Sequence, residues 1–443
     1  MPKYTPIGGF FIFFMVLVTI ANGVLGLVYA ADFLFVAGML GWMALVVLAT
    51  NLLRAQKIQV GVLLSVGVIL MGIGMYYGGE LDIAAIVSGN TGLLTMITSV
   101  GFLRLVAIPT TDSNEPSQTL PRGHRAFCQT LFSTALFGAV INISAPMLIA
   151  DRIHHERSLT RLTSQSITRI FAGAASWSPF FAGTAVVLTV IPEASLFWLM
   201  VTGLPFAIVG LLLVYIEARL FYSDEVSDFV GYPLKVTSLW VPGLLALLVL
   251  ITHGSIPALP ILITISLSAL IITGSVLVAR FGFSGAFRRW QSHIVDTLPK
   301  SVNELALFLA AGVLAAGIGT LIESGLLTIS IGVFDVSTAM ILVGIMVLAG
   351  AMGIHPVILI SAFTPVLMAV NPIPNFLALC YLFAWSMGTS ASPLSGTHLV
   401  FQGRYGIASW RGAVWNWPYV GLMYVLSCGW LWVVAHYFFE MPR

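Results

Sequence analysis

Long apolar runs, each closed by a charge or a proline, dominate the chain. Runs near 8–30, 33–53, 59–78 and 84–108 each approach the ~20 residues that a membrane-crossing helix requires. After a polar loop at 110–125 come an apolar stretch at 126–150 and a charged loop from Asp151 to Arg161. Further runs fall near 166–191, 195–221, 236–253, 257–280 and 301–322, then a long stretch at 336–370, then 375–402 and 413–438. Apolar runs of this length, broken by charges and prolines, predict an all-helical chain.

Composition sharpens the picture. Of 443 residues, 58% are apolar and only 8% charged, whereas a soluble domain carries about 25% charged residues. So few charges cannot coat a water-facing surface, and the pattern predicts a polytopic membrane protein with short loops. A net charge of +2 gives no basic face for nucleic acid. Cys128, Cys380 and Cys428 are scattered and suit apolar packing, with no disulfide or metal spacing among them. The run at 8–30 exceeds the apolar core of a cleavable signal and is read as the first span.

Lysine and arginine set the expected sidedness. With a cytoplasmic N-terminus, and with 126–150 and 336–370 each entering and leaving on one side, 18 of the 19 bases fall on the cytoplasmic side. These include Lys3, Arg54, Arg104, Arg169, Arg219, Lys235 and Arg404; only Arg443 falls outside. Asp32, Glu80, Asp82, Glu193, Glu323 and Asp335 then mark outer loops. A single crossing by either stretch would put every later base on the wrong side. The 25 residues at 126–150 are too short for two crossings and predict a re-entrant hairpin. The 35 residues at 336–370 leave a hairpin or two full spans open.

The chain also repeats internally. Ser88-Gly89-Asn90 resembles Ser301-Val302-Asn303 at an offset of 213, and Gly138-Ala139-Val140 resembles Gly350-Ala351-Met352 at 212. Ser176-Trp177-Ser178-Pro179 matches Ser390-Ala391-Ser392-Pro393 at 214, and Gly183-Thr184 matches Gly396-Thr397 at 213. Collinear matches on spans of opposite direction predict an inverted repeat. The expectation is an all-α polytopic membrane protein: an extra N-terminal helix at 1–30, then 31–225 and 226–443, each with five spans and one re-entrant hairpin. Inverted repeats suit alternating access to a central site.

The chemistry should gather at two interrupted helices. Pro179 and Pro393 lack an amide proton and disfavour helix at the preceding residue. The helices near 166–191 and 375–402 should therefore unwind over Ser176–Thr184 and Ser390–Thr397. Unwound backbone at membrane depth offers carbonyls to a cation, and the half-helix N-terminus suits an anion. Ser176, Ser178, Gly183, Thr184, Ser390, Ser392, Ser395, Gly396 and Thr397 supply small residues and neutral oxygens there. Ser176, Ser178, Thr184, Ser390, Ser392 and Thr397 are candidate sodium ligands; alternatively the small residues serve only close packing. Asn142 and Ser144, at the expected tip of the first hairpin, are placed with the Ser176 cluster. His355, at the second tip, is placed with the Ser390 cluster or caps its helix. His398 lies in the second unwound stretch, where it either bonds substrate, carries a proton or bonds backbone. Glu304 beside Asn303 opens a span next to Lys300. His154 and His155 read as a solvated loop, since neighbours do not share a helical face. Phe283–Trp290, with Arg288 and Arg289, reads as an amphipathic arm on the cytoplasmic surface. No nucleophile–base motif, metalloprotease motif or phosphate loop is present, which disfavours an enzyme.

With these residues in view, the chain resembles the ion transporter superfamily, which includes divalent anion:sodium symporters and related organic-anion permeases. Ser178-Pro179-Phe180-Phe181-Ala182-Gly183-Thr184 and Ser392-Pro393-Leu394-Ser395-Gly396-Thr397 look like that group's Thr-Pro-x-Gly-Thr unwound segments. The hairpin tips, Asn142-Ile143-Ser144 and Gly353-Ile354-His355-Pro356, depart from the Ser-Asn-Thr of the dicarboxylate symporters. The charge placement puts the C-terminus on the periplasmic side, and the resemblance implies a homodimeric inner-membrane transporter. In it, hairpins and broken helices move against a scaffold, carrying a small organic anion with sodium or protons. A sodium/proton antiporter of the same build, a channel and a membrane enzyme are the alternatives.

Overall fold

The computed structural model describes residues 5–28, 32–107, 120–234, 240–327 and 332–439. Lys3, Lys235 and Arg443, three of the sidedness markers, lie outside the described residues, as does most of the 110–125 loop. Among the described residues the chain is all helix, with no strand beyond an isolated bridge between Arg122 and Val230.

In chain order the helices begin with α1 (Thr5–Leu25), α2 (Leu34–Leu48), α3 (Arg54–Tyr76), α4 (Ile83–Ser88), α5 (Thr91–Phe102) and α6 (Arg104–Ala107). Next are α7 (Gly123–Ile141), α8 (Ser144–Glu156), α9 (Arg161–Gly173), α10 (Ala182–Val190), α11 (Leu196–Phe221) and α12 (Ser223–Ser227). The second half holds α13 (Trp240–Ser255), α14 (Ile261–Ser292), α15 (Val302–Glu323), α16 (Val336–Ala351) and α17 (Pro356–Met368). It closes with α18 (Pro374–Ala391), α19 (Gly396–Tyr405) and α20 (Ser409–Tyr437). Seven helical stretches among the described residues are long and apolar enough to cross a membrane: Thr5–Leu25, Leu34–Asn51, Gln56–Tyr76, Ile83–Val106, Leu196–Phe221, Ile261–Glu323 and Ser409–Tyr437. The protein is an integral membrane protein.

Capping chemistry sets several starts. Asp82 accepts from the Ala85 amide at 2.9 Å, Thr160 from Thr163 at 3.1 Å and Asp335 from Thr338 at 2.7 Å, each taking up an orphan donor of a first turn. In α14, Gly282 adopts φ 66°, open to glycine without a Cβ clash, and the helix changes direction there. Beyond it Phe283 and Phe287 are exposed one turn apart beside the exposed Arg288 and Arg289.

The chain folds as two compact units, each drawn from both halves of the sequence. One comprises Met1–Ala107, Gly243–Gly332 and Ile360–Val370; the other Ile108–Pro242, Val333–Leu359 and Asn371–Arg443. In the first unit α3 packs along α15, α14 along α5 and α1 on α2. Asn90 donates to Phe308 O at 2.7 Å, and Asn303 Oδ1 accepts from the Leu53 amide at 3.1 Å. Glu304 lies exposed in the first turn of α15, where a carboxylate complements the helix dipole. The second unit holds α7, α8, α9, α10, α11, α12, α16, the first turn of α17, α18, α19 and α20, while the rest of α17 belongs to the first. Units of structure therefore do not coincide with halves of sequence. The long spans α11 and α20 lie in the same unit as the broken helices, not apart from them.

Some boundaries differ from the sequence reading. The charged segment after residue 150 is helix, not loop, through Glu156, so His154 and His155 sit in the last turn of α8. Histidine at a helix C-terminus suits the dipole. Only Arg157–Thr160 connects α8 to α9, which starts at Arg161.

Candidate functional site

Every residue singled out at the breaks and hairpin tips falls in the second unit. The first break is short. After α9 the chain tightens to a 3-10 turn at Ala174–Ser176, then runs non-helically from Trp177 to Phe181. Gly183 and Thr184 are already in α10. The second break is shorter still, spanning Ser392–Ser395, with Ser390 inside α18 and Gly396, Thr397 and His398 inside α19. Ser395 caps α19 by accepting from the His398 amide at 3.4 Å. His398 is thus not in unwound chain; it stands in the first turn of a helix. The expected unwinding was too long at both places because a proline removes only its own amide bond, and a new helix starts as soon as a cap is available.

The breaks share one hydrogen-bond pattern. Ser178 Oγ accepts from the Phe180 amide at 3.1 Å, and Ser392 Oγ accepts from the Leu394 amide at 3.2 Å. Six residues beyond each serine a side chain reaches back over the break. Thr184 Oγ1 donates to Ser178 O at 2.6 Å, and His398 Nδ1 lies 2.8 Å from Ser392 O. A carbonyl oxygen can only accept, so His398 carries its proton on Nδ1. His398, not Thr397, therefore occupies the position that corresponds to Thr184. The sequence match through Gly-Thr is out by one residue.

The hairpin tips meet these breaks. Ser178 Oγ donates to Ala139 O near the end of α7. At the first tip Asn142 takes φ 51° with ψ −139°, outside the left-handed helical well and strained for any residue but glycine, and Ser144 opens α8 half-buried. Ile143 packs against Gly396, and Leu394 against Gly353 of the second tip. His355 accepts from the Val357 amide at 3.3 Å, capping α17, and stands edge-on to Trp385 at 5.4 Å. The Trp385 ring in turn lies against Gly183. Ser176 is buried and donates to Gly173 O at 2.8 Å and to Gly203 O at 3.3 Å. At Gly203 the backbone of α11 comes so close that a Cβ would lie 1.7 Å from Ser176 O.

Most hydroxyls of the two clusters are engaged by the protein itself. Thr397 differs: its Oγ1 is buried at the start of α19 with no hydrogen-bond partner. Ser133 of α7 and Ser166 of α9 are likewise buried without partners, and α7 packs on α9. Orphaned buried hydroxyls are uncommon. As oxygen donors they suit an alkali cation or the oxygens of an anion.

One buried charged group was not singled out from the sequence. Arg169 is 3% exposed in the middle of α9 and pairs with Glu217 of α11, which is 31% exposed. It is therefore held inside the helix bundle, with a paired charge, rather than at a water-facing surface. Its Nε donates to Asn416 Oδ1 at 2.8 Å, another guanidinium nitrogen donates to Trp415 O at 2.9 Å, and the guanidinium lies 4.8 Å from the Tyr419 ring centre. Gln165 Nε2 also donates to Trp415 O, at 2.6 Å. Pro418 interrupts the amide ladder of α20 in this turn. Asn416 Nδ2 lies 3.1 Å from Ser390 O and 3.3 Å from both Thr168 Oγ1 and His398 Nε2. The available signal was an arginine and a glutamate placed inside apolar runs on consecutive spans.

A small cavity of about 20 Å³ adjoins Arg169 and the first break, bordered by Gly173, Trp177, Ser386 and Tyr419 among others. That is room for about one water molecule. Toward the C-terminal ends of α19 and α8, Arg404 pairs with Asp151 at 2.6 Å and Tyr405 donates to the same carboxylate at 2.6 Å, so Arg404 is engaged. No protein-family model matches the chain, and no curated protein matches it.

Proposed function

We propose that the protein is a secondary active transporter that carries a small organic anion, carboxylate-like, by alternating access. The observation that carries this reading is the repeated hydrogen-bond pattern of the two breaks. Ser178 and Ser392 make the same turn, each closed from six residues ahead by Thr184 or His398. Around it the order of elements is the same twice. A helix pair, α7–α8 or α16–α17, precedes a broken helix, α9–α10 or α18–α19, and then a long helix, α11 or α20. This supports an inverted repeat with re-entrant hairpins, the architecture in which two halves exchange conformations around a central site. It agrees with the resemblance to the ion transporter superfamily.

On this reading the second unit is the moving body of an elevator, the first unit is the scaffold of a homodimer, and the membrane is the bacterial inner membrane. The substrate anion lies by the N-terminal turns of α10 and α19, where helix dipoles favour negative charge. Thr397 Oγ1 is the first protein oxygen free to meet it or a sodium ion. The coupling ion is sodium or the proton.

Reconstituted protein tests this directly. Proteoliposomes given a panel of labelled carboxylates are expected to accumulate one of them under an imposed sodium or pH gradient. Uptake indifferent to both gradients would sink the coupled reading, and saturation-free currents would favour a channel.

A further inference from the structure

The Arg169–Glu217 pair has a composition that packing alone does not require. A guanidinium stays charged at any physiological pH, so an arginine 3% exposed needs a permanent counter-charge. Asn416, Trp415 O and the Tyr419 ring satisfy its remaining donors and its face, but all of these are neutral. Glu217 alone, among the groups in contact with it, supplies the negative charge. Unlike the arginine, Glu217 is partly exposed, and a carboxylate can lose its charge by taking a proton.

We infer that Arg169 is the anchor for a carboxylate of the transported anion, and that Glu217 is a built-in stand-in for it. When an external carboxylate takes the guanidinium, Glu217 is left without a partner and binds one proton. The charges balance: the empty site holds Arg⁺ and Glu⁻, the loaded site Arg⁺, the anion's carboxylate and neutral Glu217. The proton comes from the water phase, forms an O–H bond at the carboxylate, and returns when the anion leaves. One proton thus accompanies each carboxylate without sodium being required at this position. The inference deepens the transporter reading by naming where the anion is held and what is coupled to it.

Neighbouring groups fit the assignment. The elements packed against α11 include α9, α12, α18 and α20. From α9 comes Arg169 itself, and from α20 the Tyr419 hydroxyl, which reaches α11 at Gly210, two turns before Glu217. The ionisable groups of α18 are Cys380 and Tyr381; those of α12 are Asp224 and Glu225. On α11, two residues beyond Glu217, Arg219 bonds His124 of α7 at 3.0 Å. The cavity of about 20 Å³ borders Arg169 from the side of the first break, through Trp177. From the pair, Asn416 leads to His398 and so to Ser392 in the second break. Arg169 is thus joined to the second break by hydrogen bonds and borders the first across the cavity.

The test uses formate, the smallest carboxylate, on the purified full chain in neutral detergent. Glu217→Ala removes the stand-in and leaves its space. This variant is expected to melt several degrees below wild type, and sodium formate is expected to restore at least half of the loss in a saturable way. Equal sodium chloride should not, nor should formate restore the double variant Arg169→Met/Glu217→Ala. No formate effect beyond chloride, or the same effect in the double variant, overturns the inference. Should Glu217→Ala fail to fold, a proton measurement decides. In weakly buffered solution wild type takes up one proton per formate bound, whereas Glu217→Gln binds formate and takes up none; formate binding by wild type without proton uptake, or no binding, overturns the inference. Rescue by formate with no gradient-driven uptake in proteoliposomes would remove the transporter reading and keep the carboxylate exchange. Coupled uptake without rescue would do the reverse.

Discussion

Asn416 and His398 meet amide to ring, with Nδ2 and Nε2 3.3 Å apart. Because Nδ1 of the ring faces Ser392 O, Nε2 arrives as an acceptor. The amide must then point its nitrogen at the ring and its oxygen at Arg169. One orientation of one amide serves both neighbours, and the reverse orientation would place donor against donor at Arg169. A charged His398 would demand that reverse orientation.

Replacing this amide by an apolar isostere therefore strands groups on both sides. Asn416→Leu leaves Arg169 Nε and His398 Nε2 without their partner, at roughly 1–3 kcal/mol for each buried polar group so orphaned. The expected outcome is a lower Tm together with loss of uptake. Wild-type Tm would show that the chain is not a coupled unit.

Thr397 offers the opposite case. Its hydroxyl has no partner, so Thr397→Val should change stability by less than ~1 kcal/mol while uptake falls about tenfold or more, equivalent to ~1.4 kcal/mol of lost interaction. Ser392→Ala loses the bond from the Leu394 amide, a net cost of about 1 kcal/mol, and is also expected to abolish uptake. Circular dichroism and Tm monitor folding alongside transport. Full activity in both variants would move the site elsewhere.

At Gly203 the restriction is steric. A Cβ would sit 1.7 Å from Ser176 O, so Gly203→Ala must push α11 off the first break. Overpacking of this kind costs typically 1–3 kcal/mol. Thermal unfolding in detergent should show the fall, and Gly243→Ala, where the space is open, should not.

Asp335 lies outside the spans at the start of α16. The Thr338 backbone amide, and then its side chain, hold the Asp335 carboxyl below the usual range. A depressed native value means stability that is present above the ordinary aspartate pKa and is lost as pH falls through the lower native one. Asp335→Ala should cost about 0.5 kcal/mol, the low end for a cap at an exposed site, and should flatten the acid limb of a Tm–pH profile.

The broken helices were legible because Pro179 and Pro393 state their own constraint: no amide proton, and a preceding residue kept out of the helical region. The extent of each break was not, because it depends on caps such as Ser395, whose role appears only when the next turn forms. The pairing of Arg169 was hidden for a related reason. Reading basic residues as sidedness markers works for loops, but the partners that hold Arg169 inside the bundle, Glu217 and Asn416, are 48 and 247 positions away. Nor does sequence say that Asp151–Glu156 continues a helix, since charged side chains suit a helix end and a loop alike. The division into two units was hidden as well, because each is assembled from both halves.

The backward bonds over the two breaks have the same span but different chemistry: a threonine hydroxyl in one, an imidazole in the other. A hydroxyl rotates freely and keeps its role at any pH. The imidazole is tied to one tautomer by what lies behind it. In an inverted repeat of the proposed kind with identical halves, the two end states would be related by a two-fold rotation and equal in energy. Here the two closures differ, a hydroxyl at Thr184 and an imidazole at His398, so any two-fold equivalence of the proposed transporter would be broken at this point.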